Sequence, residues 1–598
     1  MKKIFSLLLC CSSILPAWNQ VQKAPAYPLI THDPYFSLWS MTDTLSASPT
    51  KHWTGADQAL LGWMKVDGKL YRFLGDGSKV YRSLLPTPTS NDYTERAPAG
   101  EWTAAAFNNT DTAWKSGALP FSSSRGNGKT VWRSRDLWMR STFTLTAPSQ
   151  NVLLKLQHDD NVQVYLNGQK FYEAGCCASK PVYIPVNSAL LRKGGNVLAI
   201  HVDNTGGPGF LDVDMVTEVK PVGPTAVAAK QKSVTVTATK TEYAFTAGGA
   251  DLNLSFLSPL LMDDLNLMAR PVSYITCAVK SADGKPHDVQ VQISASTDIS
   301  VNQPAQDVIT TAYKDGDLAI LKAGTKVQPV LQKKGDDLRI DWGYMYAAVP
   351  GTDAKQYVSS ASAALSSFGK GQYTATALDG RSLMLNSVLP FGKVNASAKE
   401  QVMLLGYDDL YPIQYFGQNL QPWWKNDDAS QTIEKQLQQA AADYKTVRDK
   451  CAAFDKKLYA DASAAGGEEY AKLCALAYRQ AIAAHKLVRG PQGEILFLSK
   501  ENFSNGSINT VDITYPSAPL FLLYNTDLLK GMMNGIFYYS ESGKWTKDFA
   551  AHDLGTYPLA NGQTYGGDMP VEESGNMLIL TAAIARAEGK ADYAKKHW

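Results

Sequence analysis

The sequence predicts a multidomain protein in which a large β-sheet region precedes a helical region. Three observations support this prediction. The chain has 598 residues, which is more than a single hydrophobic core normally serves. Short stretches of alternating apolar and polar residues, separated by turn-forming pairs, dominate the chain up to residue 400. From about residue 427 onward, apolar residues recur at helical spacing instead.

The composition excludes several classes of function. Apolar residues make up 44% and charged residues 19% of the chain, as in ordinary globular proteins. The net charge is +2 and no cluster of Lys and Arg stands out, so neither nucleic acid nor an acidic membrane is an expected partner. Beyond the N-terminus no apolar run is long enough for a transmembrane helix. No Cys or His spacing is typical of a metal site, so no metal is predicted.

Residues 1–20 are predicted to be a secretory signal peptide. Lys2 and Lys3 precede a short apolar run from Ile4 to Cys11, and small, polar or turn-forming residues follow it. Cys11 also allows a lipoprotein interpretation, in which this residue carries the lipid. We therefore expect a periplasmic or extracellular protein, either released or lipid-anchored at Cys11.

Residues 21–84 and 219–400 are predicted to form one N-terminal β-sandwich. Val66 to Phe73 reads as a hairpin, because an Asp-Gly pair lies between alternating apolar flanks. The β pattern resumes at Ser233 to Thr239, which is rich in Val and Thr. Periodic strands separated by turns are typical of a large sandwich.

Residues 85–218 are predicted to be a β module inserted into this sandwich. The strand pattern from Val162 to Leu166 ends in an Asn-Gly turn, and a second alternating stretch runs from Gly195 to Val202. Together with Trp132 and Trp138, these strands resemble a galactose-binding-like jelly roll. Such a module either binds carbohydrate or serves as a packing spacer, and the sequence leaves both alternatives open.

The C-terminal region is predicted to be helical. The helical segments are residues 431–457, 473–488 and 574–587, the last of which ends before Gly589. By contrast, the stretch from Ile508 to Leu523 contains Pro516 and Pro519. Because proline interrupts helices, this stretch is predicted to begin as a loop or short strand.

Several long motifs carry a resemblance to a known family. They are Pro28–Ser40 with His52–Gly55, Ser258–Ile275, Leu405–Asp409 with Ile413–Gly417 and Trp423–Trp424, Asn509–Asp512, and His552–Pro558 with Met569–Met577. In this order they resemble the glutaminase A family, which has an N-terminal β domain and a C-terminal (α/α) six-hairpin toroid. The resemblance extends over the chain except for residues 85–218.

This resemblance implies hydrolysis of L-glutamine to L-glutamate and ammonia, outside the cytoplasm and without a cofactor. It also assigns residues 401–598 to a partial six-hairpin domain. A closed ring of twelve helices needs roughly twice the length that follows Lys457, so we expect part of the toroid to lie beyond Trp598. Two alternatives remain: a six-hairpin glycoside hydrolase acting on a glycan with paired carboxylates, and an inactive, truncated binding protein.

Three carboxylates are the candidate catalytic residues: Asp512, Glu572 and Glu573. One carboxylate would activate water while another protonates the leaving ammonia. Glu572 and Glu573 diverge by about 100° on a helix, so they do not both face one pocket. The structural alternative is that a Glu lies in the first turn, where the helix dipole favours it, and that Asp512 stabilises a turn.

Eight further residues are candidate substrate-binding residues: Asn509, Thr510, His552, Asp553, Asn576, Tyr415, Trp423 and Trp424. His552 and Asp553 would pair with a carboxylate or position the substrate amide, or form a turn bonded to its own backbone. Thr510 is also a candidate nucleophile because it lies beside Asp512. The three aromatic residues would form the floor of a pocket at the junction of the two domains, or the packing core there, which is the interpretation we favour.

Overall fold

The computed structural model describes residues 24–76, 80–85, 91–108, 112–124, 128–146, 152–219, 225–351, 353–374, 377–425, 428 and 430–597. The predicted signal peptide at residues 1–20, with Cys11, lies outside the described residues. Among the described residues, no helix combines the length and the apolar character needed to cross a membrane.

Two large sheets form the N-terminal β domain. The larger sheet has nine antiparallel strands, in the spatial order Lys230–Val236, Lys240–Ala247, Ala250–Leu257, Val272–Ser281, Lys399–Asp408, Tyr344–Pro350, Leu318–Thr325, Val308–Asp315 and Asp379–Gly380. The smaller has six, in the order Val227–Ala228, Lys69–Leu74, Leu60–Val66, His287–Ser296, Leu383–Val394 and Lys355–Ser360. Alternate residues such as Leu252 and Val291 of the two sheets are buried in one hydrophobic core, which is the predicted sandwich arrangement.

Three small sheets complete this part of the molecule. Their strands are Tyr27–Thr31, Ser37–Ser40 and Lys51–His52; Gln418–Leu420, Ile413–Tyr415 and Leu559–Ala560; and His485–Arg489 with Ile495–Ser499. The second of these sheets joins the end of the β domain to a loop of the helical region, because Ile413–Tyr415 pairs in parallel with Leu559–Ala560.

Residues 80–219 build two sheets of their own. One has the order Thr130–Val131, Phe121–Ser122, Phe210–Val219, Val152–Asp159 and Ala178–Pro185, with Val80–Ser83 also beside Phe210–Val219. The other has the order Gln169–Ala174, Asn161–Leu166, Gly194–Asp203, Asp136–Leu145, Asn91–Thr94 and Lys115–Gly117. Trp132 is buried in a hydrophobic cluster separate from that of the sandwich. These residues therefore have an independent core.

The two predicted hairpins are confirmed. Asp67 and Gly68 have φ of 48° and 83° between strands that pair at Val66 and Lys69. Asn167 and Gly168 have φ of 53° and 91° in the inserted module. A two-residue hairpin turn of type I′ needs positive φ at both central positions, and Asp-Gly and Asn-Gly are pairs that tolerate it.

Seven helices complete the described chain: α1 (Leu265–Ala269), α2 (Ala361–Lys370), α3 (Ile433–Ala483), α4 (Val511–Tyr524), α5 (Thr526–Glu541), α6 (Pro570–Glu588) and α7 (Asp592–Lys596). Helix α3 is interrupted at Gly467, where φ is 84°. The order of elements confirms the predicted fold class, a β-rich region followed by a helical region. The helices do not close into a ring within the described residues.

Two local predictions are wrong. The helix predicted at 473–488 ends at Ala483, and His485–Arg489 forms a strand that pairs with Ile495–Ser499. The stretch around Pro516 and Pro519 is the helix α4 rather than a loop or strand. Its buried residues, which are Val511, Thr514, Ala518 and Phe521, lie on one helical face. Burial of that face outweighs the two backbone hydrogen bonds that the prolines remove.

Candidate active site

Helices α4 and α6 each present a carboxylate near their N-termini. Thr510 precedes α4 and places Asp512 in its first turn. Met569, with φ of 45°, precedes α6, whose first turn contains Pro570, Glu572 and Glu573. Carboxylates are favoured there because the first backbone N–H groups of a helix lack acceptors and carry partial positive charge.

The loop between α5 and α6 brings His552 to these two carboxylates. His552 Nε2 lies 3.8 Å from Asp512 Oδ2 and 4.0 Å from Glu573 Oε1. One ligating atom from each of the three residues lies within 4.8 Å of the others. We call Asp512, His552 and Glu573 the acidic centre. Its side chains come from three separate segments of the chain.

Asp553 fixes the orientation of the His552 ring. Its Oδ2 lies 2.9 Å from His552 Nδ1, and the carboxylate also accepts hydrogen bonds from the backbone N–H groups of Gly555 at 2.7 Å, Thr564 at 3.0 Å and Tyr565 at 3.3 Å. The Tyr565 ring stacks on the imidazole with centroids 4.2 Å apart. Because Nδ1 is engaged by Asp553, Nε2 is the nitrogen presented to Asp512 and Glu573.

The acidic centre has strongly perturbed electrostatics. Glu573 is fully buried, and burial together with the nearby charge of Asp512 raises the pKa of Glu573 to about 7. Asn576 lies near Glu573, but neither Glu573 oxygen has a hydrogen-bond partner of normal geometry. Burial opposes a charge on His552, but the hydrogen bond to Asp553 and the charges of Asp512 and Glu573 outweigh it and raise the pKa of His552.

Two candidates from the sequence, Asn509 and Thr510, are fully buried beside α4. The Thr510 hydroxyl donates a hydrogen bond to Glu501 Oε1 at 2.7 Å, so it is not free to act as a nucleophile in this structure. Asn509 has φ of 58° and its side-chain oxygen and nitrogen have no hydrogen-bond partner. Glu501 is not among the residues that the sequence pattern picked out, although a Lys-Glu pair directly after an apolar strand is the signal that could have found it.

The two adjacent glutamates have different environments. Glu572 is exposed to solvent, whereas Glu573 is fully buried and belongs to the acidic centre. Asn576, one helical turn after Glu573 along α6, is also buried. This difference follows from the 100° step between neighbouring helical residues.

The aromatic candidates lie at the junction of the β and helical regions. Tyr415 is buried against Phe416 and Tyr538, with ring centroids 4.9 and 5.3 Å away. Trp423 and Trp424 line a cavity of about 30 Å³ together with Asp33, His485 and Lys486, among other residues. No residue of the acidic centre lines that cavity. These contacts are those of a packing interface.

Two groups of side chains in the described part of the chain could hold a metal ion: the acidic centre, and Asp159, Asp160, Cys176 and Cys177 in the inserted module. In the second group the two cysteines are joined to each other in a disulfide. Asp160 Oδ2 already accepts hydrogen bonds from the backbone N–H of Thr205 at 2.6 Å and of Gly206 at 2.9 Å.

Comparisons with known proteins identify relatives over most of the chain. Residues 467–598 match the glutaminase A six helical-hairpin domain, and residues 239–461 and 9–86 match two families described as domains of unknown function. Glutaminase A of Aspergillus oryzae is 30% identical over 413 residues, which are 66% of this chain and 59% of that protein. A protein of Arthroderma benhamiae named "Probable glutaminase" is 36% identical over 137 residues, which are 22% of this chain and 16% of that protein.

Similarity to solved structures is more distant. A human-microbiome protein assigned as a kojibiose phosphorylase is 12% identical, with a TM-score of 0.32, over 58% of this chain and 41% of that one. The chain spans less than two thirds of the length of the curated relatives that it matches.

Proposed function

We infer that the chain belongs to a glutaminase A-like family of hydrolases, and from this premise we propose that it is an exported amidohydrolase that converts L-glutamine to L-glutamate and ammonia. The names of the two relatives support this substrate. The acidic centre is the proposed reaction centre.

One observation carries the proposal: two carboxylates and an imidazole lie within 4.8 Å of one another, and one of the carboxylates is fully buried. Like charges at this separation disfavour simultaneous ionisation, so a pair of carboxylates in contact tends to hold one proton. Burial assigns that proton to Glu573 rather than to the partly exposed Asp512. Such a pair contains both a base and an acid.

In the proposed reaction, Asp512 takes a proton from water while the water oxygen bonds to the side-chain amide carbon of glutamine. Glu573 gives its proton to the amide nitrogen, the C–N bond breaks, and ammonia leaves. The proton on Asp512 then returns to Glu573. His552, held by Asp553, faces the negative charge that develops on the carbonyl oxygen and stabilises it.

The distance between the carboxylates also bears on the glycoside hydrolase alternative. Inverting glycosidases separate their two carboxyl groups by about 6.5–9.5 Å to admit a water molecule. The 4.8 Å limit in the acidic centre is shorter than this. It resembles the roughly 5–5.5 Å of retaining enzymes, so a glycosidase built on this pair would retain configuration.

Ammonia release from L-glutamine tests the proposal, with reducing-sugar release from a glycan panel measured in parallel. The assay is made on this chain and on a version extended through any remaining reading frame. We expect E573Q and D512N each to lower turnover at least about a hundredfold, because a positioned acid or base contributes about 10²–10⁴. E572Q, an exposed neighbour on the same helix, is the matched control and should keep most of the activity. Near-normal turnover in both E573Q and D512N, or sugar release without ammonia release, would refute the proposal.

Export and the role of the inserted module are tested separately. The basic and apolar pattern of residues 1–20 supports export. Cell fractionation with N-terminal sequencing of the mature protein distinguishes cleavage near residue 20 from lipid attachment at Cys11. A glycan array with residues 85–218 present in the full chain tests carbohydrate binding.

A further inference from the structure

We propose that Asp512, His552 and Glu573 form a binding site for a divalent cation of the zinc class. Each residue offers one ligating atom, and these three atoms lie within 4.8 Å of one another. The sequence does not reveal such a site, because its ligands are far apart in the chain and follow no zinc-site spacing. The first evidence for the ion is the environment of Glu573.

Glu573 is a buried carboxylate whose one neighbouring side-chain donor, Asn576, does not reach it with normal hydrogen-bond geometry. Its side chain is fully buried, and neither Oε1 nor Oε2 has a hydrogen-bond partner. Asp512 Oδ1 is likewise buried and without a partner. Buried polar atoms are normally satisfied, since leaving one without a partner costs several kcal/mol. A cation bound between the two residues would give each of these carboxylates a partner.

The second observation is how His552 is held. Its Nδ1 faces Asp553 at 2.9 Å, so its Nε2 is directed at Asp512 and Glu573. Histidines that bind metals typically donate their other ring N–H to a carboxylate or a carbonyl, which fixes the ring and raises its basicity. Asp553 is itself fixed by three backbone N–H groups, as the supporting residue of a metal-bound histidine must be.

The charge balance of the centre also favours a cation. Asp512, Asp553 and Glu573 surround a single imidazole. No lysine or arginine of the described residues forms an ion pair with any of the three carboxylates. A divalent ion would supply the missing positive charge at the point where the three ligating atoms converge.

The ligand set selects the class of ion. One imidazole nitrogen and two carboxylate oxygens suit zinc or a similar first-row ion better than calcium or magnesium, which prefer oxygen ligands alone. Three protein ligands leave a fourth tetrahedral position for water. Zinc bonds of about 2.0–2.2 Å place ligand atoms roughly 3.3–3.5 Å apart, against 3.8 and 4.0 Å here. The Asp512 side chain, 29% exposed, has room to approach His552, and the 4.0 Å between His552 and Glu573 has to shorten by roughly 0.5 Å on binding.

Binding would affect the proposed hydrolysis. An ion coordinated by both carboxylates occupies the lone pairs that would otherwise accept and return protons. We therefore expect zinc to inhibit ammonia release and a chelator to restore it. This consequence rests on the proposed function, whereas binding of the ion does not.

The test is a titration of chelator-treated full chain with Zn²⁺ by calorimetry, and with Co²⁺ by visible absorption. We expect one ion per chain at the acidic centre. D512N, E573Q and H552N should each weaken its affinity at least about tenfold, and D553N about 10- to 100-fold, as for other supporting carboxylates. E541Q and D527N, which change exposed carboxylates on α5, are the matched controls and should bind as the parent does. Circular dichroism confirms that each variant is folded.

Each outcome decides the proposal. Weakened binding in the four site variants with unchanged binding in the two controls supports it. Absence of binding, equal affinity in all variants, or a cobalt–thiolate absorption band that places the ion at a free cysteine such as Cys474 overturns it. An active glutaminase that binds no zinc overturns only the cation site, whereas an inactive protein that binds zinc at the acidic centre overturns only the proposed function.

Discussion

Replacement of Lys486 by methionine tests how the helical region is attached to the β domain. Lys486 Nζ contacts Asp33 Oδ2 at 2.6 Å and also contacts Asp409 Oδ2. The three side chains are only 8%, 15% and 3% exposed. Asp33 follows the first strand and Asp409 directly follows a strand of the nine-stranded sheet, while Lys486 lies in the hairpin after α3. The buried ammonium group of Lys486 thus connects three segments that are far apart in the chain.

The expected cost follows from the charges that the change leaves behind. Removing one partner of a buried ion pair destabilises a protein by about 3–5 kcal/mol, because the other charge stays buried and uncompensated. K486M leaves two carboxylates buried without a compensating charge, so we expect the unfolding free energy to fall by about 3–5 kcal/mol at neutral pH. Methionine keeps most of the apolar volume of the lysine stem, so the loss reports charge rather than a cavity.

The pH dependence gives a second check. Burial raises the pKa of Asp409 to about 6 even with Lys486 present. Burial also opposes the charge of Asp33, but Lys486 outweighs it and lowers the pKa of Asp33. Without this lysine both pKa values must rise. A carboxyl group whose folded-state pKa is raised contributes stability below its unfolded value near pH 4 and loses it as pH rises through the folded value. The deficit of K486M should therefore be larger at pH 8 than at pH 5.

The assay is urea unfolding followed by tryptophan fluorescence. Trp342, whose indole donates to the Asp409 backbone oxygen at 3.0 Å, reports on this region. The matched control is K530M: Lys530 also contacts two carboxylates, Asp527 at 2.9 Å and Glu588 at 2.5 Å, but is 20% exposed. We expect K530M to cost less than K486M, because Lys530 and especially Asp527, whose side chain is 62% exposed, remain in contact with water. The reasoning is refuted if K486M lowers the unfolding free energy no more than K530M does, or if the loss for K486M does not grow with pH. Either result would mean that the buried carboxylates do not depend on Lys486 for compensation.

Two other substitutions test assignments made at the site. Thr510→Val removes the hydrogen bond to buried Glu501 and should cost about 1–3 kcal/mol in unfolding free energy. Its turnover should fall less than about tenfold, since Thr510 is not assigned a role in proton transfer or covalent catalysis. Tyr415→Ala removes a buried ring from the packing against Phe416 and Tyr538 and should cost about 3–5 kcal/mol. The KM of the folded variant for glutamine should stay within about threefold of the parent, because Tyr415 is placed in a packing interface rather than at the substrate.

Steady-state kinetics and urea unfolding check both variants. Loss of all turnover in Thr510→Val with an intact fold would restore Thr510 as a candidate nucleophile, and Thr510→Ser is the variant that should then recover activity. A large rise in KM for Tyr415→Ala without loss of stability would place the aromatic residues in the binding site after all.

Features governed by neighbouring residues were predictable. The Asp67–Gly68 and Asn167–Gly168 turns follow from the positive φ that their geometry requires. The end of α6 follows from Gly589, which adopts φ of 67°. The different environments of Glu572 and Glu573 follow from the angular step of a helix. Each of these depends on a few adjacent residues, so the sequence alone determined it.

Long-range packing decided the rest. The prolines of α4 argue locally against a helix, yet Val511, Thr514, Ala518 and Phe521 gain enough by burial on one face to keep it. Val488 fits a helical pattern, but pairing of His485–Arg489 with Ile495–Ser499 takes it into a strand. Local propensities differ by about 1 kcal/mol or less per residue except at proline, which costs about 3 kcal/mol in a helix interior. Full burial of a Val or Phe side chain contributes about 1.5–3 kcal/mol, so the packing of a whole face overrides local preference.

The acidic centre shows the same division between sequence and structure. The sequence picked out Asp512, Glu573, His552 and Asp553 as candidate site residues. Their approach to within 4.8 Å, the choice of Glu573 over Glu572, and the burial of Thr510 against Glu501 depend on how α4, α6 and the loop between α5 and α6 pack together. Only the tertiary structure decided these, because distances between residues far apart in the chain are set by packing and not by any local pattern.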